Sequence, residues 1–212
     1  MGHARKHWKL LGLALLASAL LAVVLGSIAN GASSSTRISF NMIRSAAVDG
    51  AHCLPNARAE VVDESSGPVE TLTVNVQGLP ANTEFDFFVI QVPNGPFGLS
   101  WYQGDIETGA DGSGQGVFVG RFSIETFIVA PGSARAPDVH HQPPFPDAAS
   151  NPATAPVHTF HLGLWFNSAE DAVKAGCPGN VTPFNGDHHA GIQVLSTRQF
   201  GDGVGPLRML GS

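Results

Sequence analysis

Seven histidines lie beyond residue 29, and they are the side chains in this sequence best suited to hold a metal: His52, His140, His141, His158, His161, His188 and His189. Zinc takes three or four ligands at about 2.1 Å, usually from paired spacings on rigid elements. His158 and His161 are three apart, which brings them together on a helix but sends them to opposite sides of an extended strand. The adjacent pairs 140–141 and 188–189 split in the same way, and no H-E-x-x-H motif occurs. One constellation keeps metal chemistry open. His52 adjoins Cys53, and Asp187-His188-His189 begins ten residues after Cys177, so joining the two cysteines would gather His52, Asp187, His188 and His189 at one pole of the domain. Zinc or copper is the metal such a set would take; otherwise no cofactor is expected.

Other chemistry leaves weaker traces. No G-x-S-x-G nucleophile motif is present, and every serine sits in an ordinary turn or strand context, so no catalytic residue is assigned. Asp105 with Glu107 fits one face of a strand, and Glu170 with Asp171 fits the first turn of a helix, where acids offset the dipole. Asp111, Ser113 and Gln115 resemble the start of a calcium loop, but the twelfth position is Phe122, so the glycine-rich stretch reads as a turn. Trp101, Tyr102, Gln103, Asp105 and Trp165 form a candidate ligand platform, the mixture of aromatic and polar groups that sugar-binding surfaces use. Buried tryptophans are common in sandwich cores, and a core role is the first reading of these aromatics.

Charge narrows the partners. Beyond residue 29 there are 8 Lys+Arg against 17 Asp+Glu, a net charge near -9. Binding a phosphate backbone needs cations that displace counterions, so nucleic acid is excluded as an expected partner. A cell-surface protein or a carbohydrate fits better.

Residues 1–29 read as an export signal. Arg5, Lys6 and Lys9 precede the uncharged apolar run Leu10–Ile28, and Ser27-Ile28-Ala29 offers a cleavage site. Uncleaved, that run would be the one membrane anchor. Export makes the only two cysteines, Cys53 and Cys177, a disulfide pair.

These features rest on a chain with strand periodicity almost throughout. Ala57–Asp63 predicts a strand; "VETLTVNV" puts Leu72, Val74 and Val76 inward. "EFDFFVIQV" is apolar on both faces, as a central strand is. "DIETGADGSGQGVFVGRF" predicts a hairpin around Gly109–Gly116, and "HTFHLGLWF" and "AGIQVLST" predict the last strands. One short helix is expected near 168–175, with Ser168 as N-cap. Segment 130–157 carries seven prolines and reads as a loop that proteases reach first. Residues 30–52 are expected to precede the domain, 53–200 to form it, and 201–212 to trail from it.

The stretch "LTVNVQGLPANTEFDFFVIQV" resembles the corner of immunoglobulin-like and fibronectin type III sandwiches, with Phe85 where those families place a bonding tyrosine. The stretches "GLPANTEFDFFVIQVPN", "GLSWYQGDI" and "TPFNGDHHAGIQVLST" are similar to uncharacterised exported bacterial proteins. The resemblance implies an all-β fold, a single antiparallel β-sandwich of seven to nine strands, and a secreted or cell-surface location. The expected function is an exported non-catalytic module with a binding or cell-envelope role. A metal-dependent exported enzyme built on the histidine pole is the alternative.

Overall fold

A computed structural model describes residues 36–124, 126–127, 157–182 and 189–210. The export signal, Asp187, His188, His140, His141 and all but the last residue of segment 130–157 lie outside the described residues. Ten strands and two short helices follow one another: β1 (Arg37–Arg44), α1 (Ala46–Gly50), β2 (Arg58–Ser66), β3 (Val69–Gln77), β4 (Glu84–Ile90), β5 (Ser100–Glu107), β6 (Gly114–Gly120), β7 (Thr126–Phe127), β8 (Val157–His158), β9 (His161–Phe166), α2 (Ala169–Lys174) and β10 (Gln193–Ser196). Two 3-10 turns, Phe122–Ile124 and Pro206–Met209, complete the set.

Eight strands make one antiparallel sheet in the order β5-β4-β9-β10-β1-β2-β3-β6, and β7 pairs with β8 alone. The sheet curls until its two edges lie side by side. A Cβ on Gly116 of β6 would sit 2.8 Å from the Ile106 side chain of β5, and one on Gly104 would sit 3.0 Å from the Phe118 ring. The fold is therefore all-β and nearly a closed barrel. The predicted hairpin has its turn, with Gly109 donating to Ser113 O at 2.8 Å, but β5 and β6 share no ladder. Each strand finds seven partners elsewhere, β6 on β3 and β5 on β4, so the hairpin opens into the two sheet edges.

Period-two alternation fills the interior. Phe85, Phe87 and Val89 of β4 meet Leu72, Val74 and Val76 of β3 and Leu162, Leu164 and Phe166 of β9 in one core cluster. Phe87 stacks on Phe118 at 4.8 Å, and Phe85 packs on Phe166 at 5.1 Å. Each such buried side chain stabilises the fold by about 1.5–3 kcal/mol relative to exposure. Between β3 and β4 the chain is tied by the Thr108 hydroxyl. Its Oγ1 donates to Pro80 O at 2.6 Å and accepts from Thr83 N at 3.0 Å.

Two expected boundaries shift. Residues 30–52 were expected ahead of the domain, yet Arg37–Arg44 lies between β10 and β2, with Phe40 and Met42 in the core. The segment expected as a trailing tail folds back as well. Leu207 is fully buried and its amide donates to Phe160 O at 3.3 Å. The expected helix is α2, capped by Ser168 Oγ accepting from Asp171 N at 3.1 Å; α1, capped by Ser45, has no counterpart in the sequence reading.

Candidate functional site

Because Phe85, Phe87 and Val89 point inward, Glu84, Asp86, Phe88 and Ile90 occupy the outer face of β4. An outer face is normally wet, but Phe88, Ile90 and Trp165 are buried there with Phe97 packed against them. The cover is the segment between β4 and β5, which folds over the sheet through Gln91 N to Leu99 O at 2.8 Å and Val92 N to Phe97 O at 3.2 Å. Trp165 lies edge to face with Phe88 at 5.3 Å and with Phe97 at 5.0 Å. Its ring rests over Gly163, where a Cβ would come within 2.3 Å of it. Gly163→Ala should therefore lower stability by about 2 kcal/mol through overpacking, measured by denaturant unfolding. A loss below about 0.5 kcal/mol would mean the ring moves aside freely.

Tyr102 forms the rim of this outer cluster. The residue is 49% exposed, its ring meets Phe88 edge-on at 5.6 Å, and its hydroxyl donates to Asp105 Oδ1 at 2.6 Å. Around it the register aligns like charges: Glu84 opposite Glu107 and Asp86 opposite Asp105. Directly opposed residues hold their Cβ atoms about 5 Å apart, and like-charge pairs at that spacing oppose folding. Four carboxylates thus share one face of two neighbouring strands. Burial first, then the Asp105 and Glu107 charges, push the Glu84 carboxyl above its usual range. Burial, the bond to Asp105 and the neighbouring carboxylates push the Tyr102 phenol up, so it stays a donor at any physiological pH. Glu84, Glu107 and Asp105 offer acceptors on this face beside one aromatic ring, while Asp86 is buried.

The residues expected to form a platform separate in part. Tyr102 and Asp105 are bonded. Trp165 lies beneath Phe88 and Phe97, fully buried, and so belongs to the packing under the rim. Trp101 is 57% exposed but pairs with Val89, an inward residue, so it projects on the other side of β5 from Tyr102. Gln103 occupies a bulge and donates to Trp101 O at 3.3 Å. Glu84 and Asp86 were absent from the sequence reading. The signal was there: acid-x-acid at 84–86 and again at 105–107, on two strands that pair.

Of the histidine pole, His52 and His189 are both exposed. Among the described residues no group of three His, Cys, Asp or Glu side chains is placed to hold a metal ion. His161, on the outer face, is fully buried and serves the fold: Nε2 donates to Asp202 O at 3.1 Å and Nδ1 accepts from Thr197 Oγ1 at 2.9 Å, the tautomer that satisfies both partners. Burial holds its pKa below the usual histidine value. Cys53 and Cys177 are joined, with Cα atoms 5.5 Å apart. No helix among the described residues is long and apolar enough to cross a membrane.

No family model, curated protein or solved structure matches the chain.

Proposed function

We propose that the chain is an exported, non-catalytic binding module, built as a flattened sandwich of immunoglobulin-like kind, whose ligand is a carbohydrate of the cell surface or envelope. The observation that carries this is the half-exposed Tyr102 ring, its hydroxyl held by Asp105 at 2.6 Å, bordered by Glu84 and Glu107. A ring face packs against the apolar face of a sugar, and carboxylates accept from its hydroxyls; preorganisation by Phe88 and Asp105 reduces the ordering cost of binding. The Cys53–Cys177 bond supports export, because disulfides persist in oxidising compartments.

The test is a titration with neutral oligosaccharides of glucose and of N-acetylglucosamine, followed by tryptophan and tyrosine fluorescence. Tyr102→Ala should weaken binding about tenfold or more, the cost of losing a central aromatic contact. Tyr102→Phe should keep most of it. Saccharide binding that survives Tyr102→Ala unchanged, or none across the panel, would remove this reading.

A further inference from the structure

A second surface lies on the opposite half of the sheet. The end of β1, helix α1, the approach to β2 and the segment after β10 enclose an open groove of about 370 Å³ lined by Arg44, Asp49, Asn56, Arg58 and Arg198, with Ile43 and Ala57 at its walls. Only seven Lys and Arg side chains occur among the described residues, in a chain where acids outnumber bases, and three of them converge here. Asp49 answers one of the three charges. One of its carboxylate oxygens accepts from Arg44 Nη2 and the other from Arg198 Nη2. Two positive charges remain.

The guanidiniums are also held in place. Arg198 Nε donates to Arg44 O at 2.7 Å. Arg58 donates to Gln77 Oε1 at 2.6 Å and to Asn56 O at 3.2 Å, both neutral partners. A guanidinium carries five N–H donors in a rigid fork, and these bonds use only one or two on each arginine, so donors are left over on all three. Surface arginines that serve only solubility scatter; here topology gathers residues 44, 58 and 198 around one opening and anchors them before any ligand arrives.

We propose that this groove binds a phosphate or sulfate group. Tetrahedral oxyanions match the forked donors of several arginines at once. The groove, about 370 Å³ and open to solvent, has room for more than a bare oxyanion, so a phosphate or sulfate ester on a larger molecule fits it. The site is distinct from the Tyr102 face and independent of it.

The full chain is titrated by calorimetry at constant ionic strength, with inorganic phosphate in one arm and glucose 6-phosphate in the other. Saturable binding is expected, with glucose 6-phosphate the tighter. Arg58→Gln should weaken both arms about tenfold, the loss of one charge-assisted donor pair. Arg37→Gln, which removes a charge paired with Glu64 at the other end of β1, should change neither. Tyr102→Ala should leave the phosphate arm intact. Should Arg58→Gln fail to fold, Arg58→Lys keeps the charge without the fork and should lose part of the affinity. Equal affinity in the two arms would make free anion the ligand. No saturation with either probe, or equal weakening by Arg37→Gln and Arg58→Gln, overturns the proposal.

Discussion

Replacing Cys53 and Cys177 together by alanine is expected to cost about 4–5 kcal/mol in the chain-entropy account of cross-links. The bond closes a sequence separation of 124 residues, which puts it at the upper end of such effects. The corresponding fall in melting temperature is about 10–15 °C for a domain of this size. Local structure argues for a loss of that order. Both cysteines follow very short helices, α1 and α2, neither long enough to persist alone. Cys53 N donates to Val48 O at 3.2 Å and Cys177 N to Ala172 O at 2.9 Å, so each closes the last turn of its helix. His52 and Leu54, on either side of Cys53, hold φ of 56° and 47°. Such left-handed backbone costs about 1–2 kcal/mol per residue and persists where surrounding structure enforces it. Cutting the bond lets this strain relax, which offsets a small part of the loss. Thermal unfolding of the oxidised chain against the double variant measures the effect, and thiol titration of denatured, unreduced chain should find none free. A loss under about 1 kcal/mol would mean the helices are held by packing alone.

The sequence was most legible where one periodicity ran uninterrupted. Leu72, Val74 and Val76 alternate with Thr71, Thr73 and Asn75, and they face the core as alternation requires. Ser168 and Asp171 announced α2 because capping is a local matter. Arg37–Arg44 carries the same alternation, Ile38, Phe40 and Met42 against Ser39 and Asn41, but nothing local separates it from the low-pattern segment that precedes it. What could not be read was register and strand order. Glu84 faces Glu107, and Asp86 faces Asp105, only because β4 pairs with β5 and the bulge falls after Phe87. Arg44 and Arg198 meet across 154 residues only because β1 inserts between β10 and β2. Trp165 was legible as an aromatic of the outer face. That Phe97 would close over it depends on the fold of the preceding loop, which no pattern encodes.

The second large effect is expected at Asp63. It continues the inward alternation of β2 after Ala59 and Val61, lies opposite Ile38 of β1 and Leu72 of β3, and is fully buried. Neither carboxyl oxygen meets a hydrogen-bond partner of good geometry among the described residues. Burial, with the Glu70 charge adding to it, raises its pKa from 3.8 to about 7, and the nearby Glu64 amide offsets this only in part. The Glu70 carboxylate is itself held in place, accepting from Ser123 N at 2.8 Å and from Ser123 Oγ at 2.5 Å. The sign follows from which form the fold prefers. A raised carboxyl pKa means the folded state favours the protonated acid, so the stabilisation is complete below the unfolded value near 4 and is lost as pH rises through about 7. The loss from pH 4 to pH 8 is about 2–4 kcal/mol, at about 1.4 kcal/mol per pKa unit. His161 acts in the opposite direction: its lowered pKa makes stability fall as pH drops below 6.5. Comparing Asp63→Asn with the parent chain at each pH cancels that background. The variant should match the parent at pH 4 and exceed it by about 2–4 kcal/mol at pH 8, read from urea unfolding at both. Asp63 is fully buried, so high salt should barely narrow the difference. A difference that stays flat across pH, or a variant weaker than the parent at pH 8, would mean that Asp63 is ionised in the fold with partners that compensate its charge.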